Sequence, residues 1–282
     1  MLTVVASWGI YALLALGIVL VYRTSRILNI AGGEFAIFIG YVAAAVVGHG
    51  LPFWIAVLAA LAAAAVLGFC IFWFAIKRIL SEPPHVGLML TIGMAPLLNG
   101  IIILAFGGGL TAVPTQLPAT VNIVAMRFST TDIVAAVGAW LSIGLLLAVY
   151  QFTNLGLQMR AVSERVTLSA QRGLNVNRTG AFAWIIGLMA IGLAGVLHGE
   201  RSFVSLPSAV VGVSALIACL IGGMDSLKGA IVAALIVSFT ENFTALYIDP
   251  RYILIAPVTI LLIILIVRPW GLFGTVEDFK RV

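Results

Sequence analysis

Few residues in this 282-residue chain carry side chains capable of chemistry, and several of those sit in apolar surroundings. Glu241 and Asn242 stand side by side in "LIVSFTENFTALY"; Glu34 follows two glycines in "NIAGGEFAIF"; Asn99 follows Pro96 in "TIGMAPLLNGIIIL". An ionisable group in such a run is costly to bury, so each is first a candidate functional group. Two roles are open to Glu241: a polar lining that receives an ammonium, or an interhelical hydrogen bond that holds a bundle together. Glu34, with Gly32 and Gly33 ahead of it, either lines a gate where the backbone unwinds or pairs with Arg23 or Arg26. Asn99 lies in a Pro-interrupted run, a recurrent design near transport pathways, or simply packs between helices.

Other chemistries find no support. His49, His85 and His198 are far apart and lack metal-ligand spacing. Cys70 and Cys219 both fall inside apolar runs, which argues against a disulfide framework. No Ser/His/Asp or Cys/His set stands out. No G-x-x-x-x-G-K-[ST] loop occurs, and no lysine is followed by Ser or Thr, so the chain has no phosphate-cradling loop of its own.

One stretch is water-compatible: "GLQMRAVSERVTLSAQRGLNVNRTG", residues 156–180, with Arg160, Arg165, Arg172 and Arg178. Residues 157–172 contain neither Gly nor Pro, and Gly173 is a natural helix stop, which predicts a polar helix. It is either a solvated connector or a docking helix for a partner.

The elements that must position these groups follow from composition. Hydrophobic residues make up 62% of the chain and charged ones 9%, with a mean hydropathy of +1.20. Soluble domains run at about 45–50% apolar and about 25% charged, so the chain is expected to be an all-α, polytopic membrane bundle. Apolar runs fall at roughly 4–22, 30–48, 51–76, 86–106, 131–150, 181–198, 208–223, 229–247 and 252–267. A span needs about 20 mostly apolar residues, which predicts eight or nine transmembrane helices. The first run has no basic residue before it and reads as a retained span rather than a signal peptide.

With the N-terminus outside and nine crossings, the cytoplasmic connections hold Arg23, Arg26, Lys77, Arg78, Arg160, Arg165, Arg172, Arg178, Lys228, Arg268, Lys280 and Arg281. Only Arg127, Arg201 and Arg251 remain outside, so twelve basic residues face three. That asymmetry obeys the positive-inside rule and places the C-terminus in the cytoplasm. The net charge of +5 is therefore an orientation signal and not a nucleic-acid footprint. A re-entrant 208–223 run would strand Lys228 and the C-terminal cations outside; a kinked or partial span there leaves eight full crossings.

Four blocks in this order resemble the permeases of bacterial ABC importers of the branched-chain amino acid (leucine/isoleucine/valine) family. They are "SWGIYALLALGIVLVYRTSRILNIAGGEFAIFIGYVA" (7–43), "RAVSERVTLSAQRGLNVNRTGAFAWIIGLMAIGLAGVL" (160–197), "SALIACLIGGMDSLKGAIVAALIVSFTENF" (214–243) and "RPWGLFG" (268–274). The chain departs from the family at Gly32, where many relatives carry His, and at Asp225, where Gly is common.

The resemblance implies one transmembrane permease domain over 1–282 with a cytoplasmic coupling loop at 151–180. Arg160, Ala161, Glu164, Ala170, Gly173 and Leu174 would form the coupling helix seated on an ATPase subunit. Asn29, Gly33, Glu34, Asn99, Glu241 and Asn242 are the candidates for the translocation pathway. This chain itself would need no cofactor, ATP and Mg being bound by the partner ATPase subunits. Further partners would be a second permease, a related chain or a copy of itself, an extracytoplasmic substrate-binding protein and membrane lipid. The loop 107–130 either touches that external protein or is a plain linker. The competing expectation is a self-sufficient secondary transporter or channel for a small solute such as an amino acid, urea or short amide.

Overall fold

In the computed structural model, the described residues are 2–80, 82–115, 120–123 and 126–275. The helices are α1 Leu2–Ser25, α2 Gly32–Gly48, α3 Phe53–Ile71, α4 Lys77–Ile79, α5 Pro84–Phe106, α6 Thr130–Phe152, α7 Asn154–Glu164 and α8 Val166–Gln171. They continue with α9 Val176–Arg201, α10 Val210–Gly222, α11 Leu227–Tyr247 and α12 Ile255–Val267. A π turn at Phe72–Ile76 joins α3 to α4, and a 3-10 turn at Leu206–Ala209 leads into α10. A small antiparallel hairpin, β1 Thr120–Ile123 with β2 Met126–Ser129, sits in the 107–130 connection. Helices dominate because in lipid the backbone must satisfy its own hydrogen bonds.

Among the described residues, seven helical stretches are long and apolar enough to cross a membrane, and two more apolar helices, Gly32–Gly48 and Leu206–Gly222, are shorter. The protein is a polytopic helical membrane protein. Helices α1 and α9 form its centre: 78% of α1's apolar window is buried inside the bundle, against 6% for the stretch containing α12. Small residues let the central helices touch. Gly17 of α1 lies against Gly187 and Ile191 of α9, as expected where packing rather than water drives association.

The short second helix has a structural cause. After α1, residues 26–31 turn back into the bundle without helical structure, beginning at Arg26 with φ 55°. Gly32 then lies against Leu14 and Ile18, around the midpoint of α1. Helix α2 therefore begins inside the bundle. Its counterpart is α10, whose leading turn meets α2 there: Gly33 packs on the Ala209 carbonyl and on Gly212. Only glycine allows this approach, because a methyl on either residue would overlap the other's backbone.

Candidate functional site

The structure gathers Asn29, Gly33 and Glu34 around the start of α2. The incoming strand is held by the Thr91 hydroxyl of α5, which donates to the Leu28 carbonyl at 2.9 Å. Asn29 is fully buried, and neither its Oδ1 nor its Nδ2 has a hydrogen-bond partner among the described residues. Ala31 caps α2 without a side-chain bond, so the first-turn amides are left without intrahelical acceptors. Glu34 occupies that first turn, where a negative charge complements the helix dipole. It is half-exposed, on the same face of α2 as Phe38 and Val42. Pairing with Arg23 does not occur: that guanidinium lies over the Tyr150 ring and reaches Ser163.

Glu241 is in a different setting. Its Oε2 accepts from the Tyr11 hydroxyl of α1 and its Oε1 from the Ser214 hydroxyl of α10, both at 2.6 Å. Buried on α11, it ties three helices together. Of the two roles open to it, the geometry displays the interhelical bond. Asn242 beside it donates to Ser238 of its own helix at 2.8 Å. Asn99 stays on α5 beyond Pro96, its buried Oδ1 without a partner among the described residues.

The polar segment at the other end of the chain's logic is two helices and not one. Helix α7 is capped by Thr153, whose hydroxyl accepts from the Gly156 amide at 3.1 Å. It ends at Arg165, extended at φ −150° and ψ 96°, and α8 follows. The Ser169 hydroxyl donates to the Ala161 carbonyl at 2.9 Å and holds the corner, offering the backbone an alternative to a continuous ladder. Gly173, at φ 82°, terminates the pair as its sequence position suggests. Ala161, Glu164, Arg165, Leu168, Arg172 and Leu174 line a shallow depression of about 220 Å³. Ala170 and Val166 are exposed beside it, as is Leu168 in its wall.

Arg160 points the other way. Its Nη1 donates to the carbonyls of Tyr150 (2.7 Å) and Gln151 (3.1 Å), so it fastens α7 to the end of α6. Cations suit the carbonyl end of a helix.

Two of the quoted blocks meet in space. The amides of Leu272 and Phe273 donate to the carbonyls of Ile221 and Gly222 at 2.8 and 3.0 Å. Gly223, at φ 100°, lies against Gly271 and Gly274. Asp225 accepts from both the amide and the hydroxyl of Thr275. The "RPWGLFG" segment thus straps the α10–α11 turn, and Asp225, a departure from the resembled pattern, has a partner there. Lys280 and Arg281 lie outside the described residues.

Sequence reasoning missed one polar cluster, at the end of the bundle where α1 begins. Asp132 and Arg201 form an ion pair at 2.6 Å, Arg201 also donates to Ser7 at 2.6 Å, and Thr3 donates to Asp132 at 3.3 Å. Glu200 lies beside it. The signal available was "HGER", a charged pair closing an apolar run. Among the described residues no group of three or more His, Cys, Asp or Glu is placed to hold a metal ion.

Comparison with known proteins adds the following. A family model described as "Branched-chain amino acid transport system / permease component" matches residues 1–267. The high-affinity branched-chain amino acid transport system permease protein LivH of Escherichia coli (strain K12) is 26% identical over 287 residues, covering 96% of this chain and 93% of that protein. The corresponding BraD of Pseudomonas aeruginosa is 28% identical over 289 residues, with the same shares covered. A probable LivH of Methanocaldococcus jannaschii is 25% identical over 294 residues, covering 97% and 91%. Among solved structures, PsaBC from Streptococcus pneumoniae in complex with Fab matches with a TM-score of 0.52 and 14% identity, over 93% of this chain and 89% of that one. That last likeness is one of fold.

Proposed function

We propose, on the premise that this chain belongs to the branched-chain amino acid transport system permease family, that it is the translocation subunit of an ATP-driven importer of branched-chain or related amino acids. The observation that carries this reading is the family match across residues 1–267. The permease is one domain of nine crossings. Its N-terminus is outside and its C-terminus in the cytoplasm, the sense that the basic residues favour. Helices α2 and α10 cross only partly as α-helix and complete the passage with the segments before them, non-helical before α2 and a 3-10 turn before α10, an arrangement recurrent around transport sites.

The pathway runs along the face carrying Glu34. A partly exposed carboxylate with no cation or side-chain partner among the described residues is expensive against hydrocarbon, and a second permease closing over that face would give it a polar environment. Asn29 and Gly33 support the same place from behind, and Asn99 contributes from α5. Glu241 and Asn242 serve the bundle. Substrate arrives from an extracytoplasmic binding protein, which docks on the side of the 107–130 connection. ATP and Mg are handled by separate ATPase subunits.

Those ATPases seat the α7–α8 corner. Exposed Val166 and Leu168, flanked by Glu164, Arg165 and Arg172, offer an apolar centre with a charged rim, as docking surfaces do. Arg160 transmits the motion by locking the corner to α6, and Ala161, Ala170, Gly173 and Leu174 shape it. The test is uptake of labelled leucine into proteoliposomes holding the complete complex. Removing residues 160–173 should leave the chain in the membrane and abolish ATP-driven uptake. Uptake by this chain alone, without ATP or partners, would instead establish a self-sufficient carrier.

A further inference from the structure

Beside the Asp132–Arg201 pair lies a cavity of about 300 Å³, walled by the 112–115 segment and the end of α9. Glu200 forms part of its wall and is only 7% exposed. Its Oε1 accepts from the Thr115 hydroxyl at 3.2 Å, while its Oε2 is buried and has no hydrogen-bond partner among the described residues. The neighbouring cation does not compensate it, because Arg201 is committed to Asp132 and Ser7. A buried carboxylate with an unused oxygen carries a desolvation cost until a proton or a cation joins it. The rest of the wall is mixed, with Val113, Pro114 and Phe203 as its apolar part, Arg201 as a cation already paired with Asp132, and Thr131, whose hydroxyl is shared with Ser129.

From this arrangement we propose that the cavity is a binding site for a primary ammonium group, held by the Glu200 carboxylate with the apolar wall receiving the attached carbon chain. A compact cation with three donors fits one charged acceptor better than a planar guanidinium would. The site deepens the importer reading and rests on it for its two sources of ammonium: the transported amino acid, or a lysine of the docked binding protein.

The experiment uses the full chain in lipid nanodiscs, without ATPases, and follows isoamylamine binding by ligand-observed NMR, with leucine and α-ketoisocaproate as competitors. Isoamylamine should bind, and α-ketoisocaproate, which has the same carbon chain but no ammonium, should not displace it. Glu200→Gln should weaken the amine roughly tenfold or more, the size expected for losing a charge-assisted bond. Thr115→Val, which removes only the Oε1 partner, should have a smaller effect and serves if Glu200→Gln fails to fold. Equal amine binding by parent and Glu200→Gln, or displacement by the keto acid, overturns the site.

The sources separate in two further arms. Displacement of the amine by leucine identifies the free amino acid. Weaker docking of the binding protein to a Glu200→Gln complex identifies a lysine. Amine binding by the chain, together with no ATP-driven uptake by the complete complex, would sink the importer reading and leave this site standing; normal uptake by the complex with no amine binding would do the reverse.

Discussion

Glu241 and Glu34 are both carboxylates set in apolar runs, and their sequence leaves each open to either a pathway or a packing role. In the structure they part completely. Glu241 sits where α1, α10 and α11 converge, and both its oxygens accept hydrogen bonds. Glu34 stands on a partly exposed helix face, a few residues after the fully buried Asn29, which has no hydrogen-bond partner among the described residues. A saturated node holds helices together. An unsaturated one keeps capacity for something that is not part of the bundle, and the difference separates scaffold from pathway within one small chain.

The comparison can be broken most severely at its shared hinge. Gly33→Val would drive a side chain into the Ala209 backbone, which has no rotamer to yield. The expected result is loss of folded protein from the membrane, beyond the roughly 1–3 kcal/mol typical of overpacking; normal expression and unfolding temperature would disprove the close α2–α10 contact.

Next in size is Glu241→Leu, which strands the Tyr11 and Ser214 hydroxyls and should cost about 2 kcal/mol in detergent unfolding. Glu241→Gln should cost less, since an amide can still bond both hydroxyls. Should that milder variant fold like the parent yet fail to transport, Glu241 would belong to the pathway as well.

Glu34→Ala should do the opposite of Glu241→Leu. Stability is expected to stay within about 0.5 kcal/mol, because Glu34 ties no other helix and only its local bond and dipole interaction are lost, while leucine uptake by the assembled complex falls. A stability loss equal to that of Glu241→Leu would erase the distinction.

Asn29→Leu should also leave stability nearly unchanged. With no hydrogen bond to lose among the described residues and the same branched side-chain skeleton, it should shift unfolding by less than about 1 kcal/mol in either direction. A larger loss would mean that the Asn29 amide has a partner in the folded complex.

Much of this protein was legible without coordinates. The apolar runs located the helical stretches, because a chain in lipid must satisfy its backbone locally, and Gly173 marked the end of the polar segment it follows. Less was legible at the sites. The polar segment reads as one helix, yet a hydroxyl eight residues away at Ser169 holds it as two. Arg160 belongs to the quoted docking block, yet it faces inward to carbonyls of α6.

What the sequence determined by itself is therefore everything encoded over one helical turn or one membrane thickness: the class of protein, the helical runs, the bias of positive charge and the family motifs. The tertiary structure alone decided which polar groups are spent and which remain free. Tyr11 and Glu241 are 230 positions apart, Ser7 and Arg201 are 194 apart, and Thr275 reaches back 50 positions to Asp225. Such pairings leave no local pattern, because they depend on how close helices approach. In this bundle that approach is set by small residues such as Gly33 and Gly212, far apart along the chain and in contact only once it is folded.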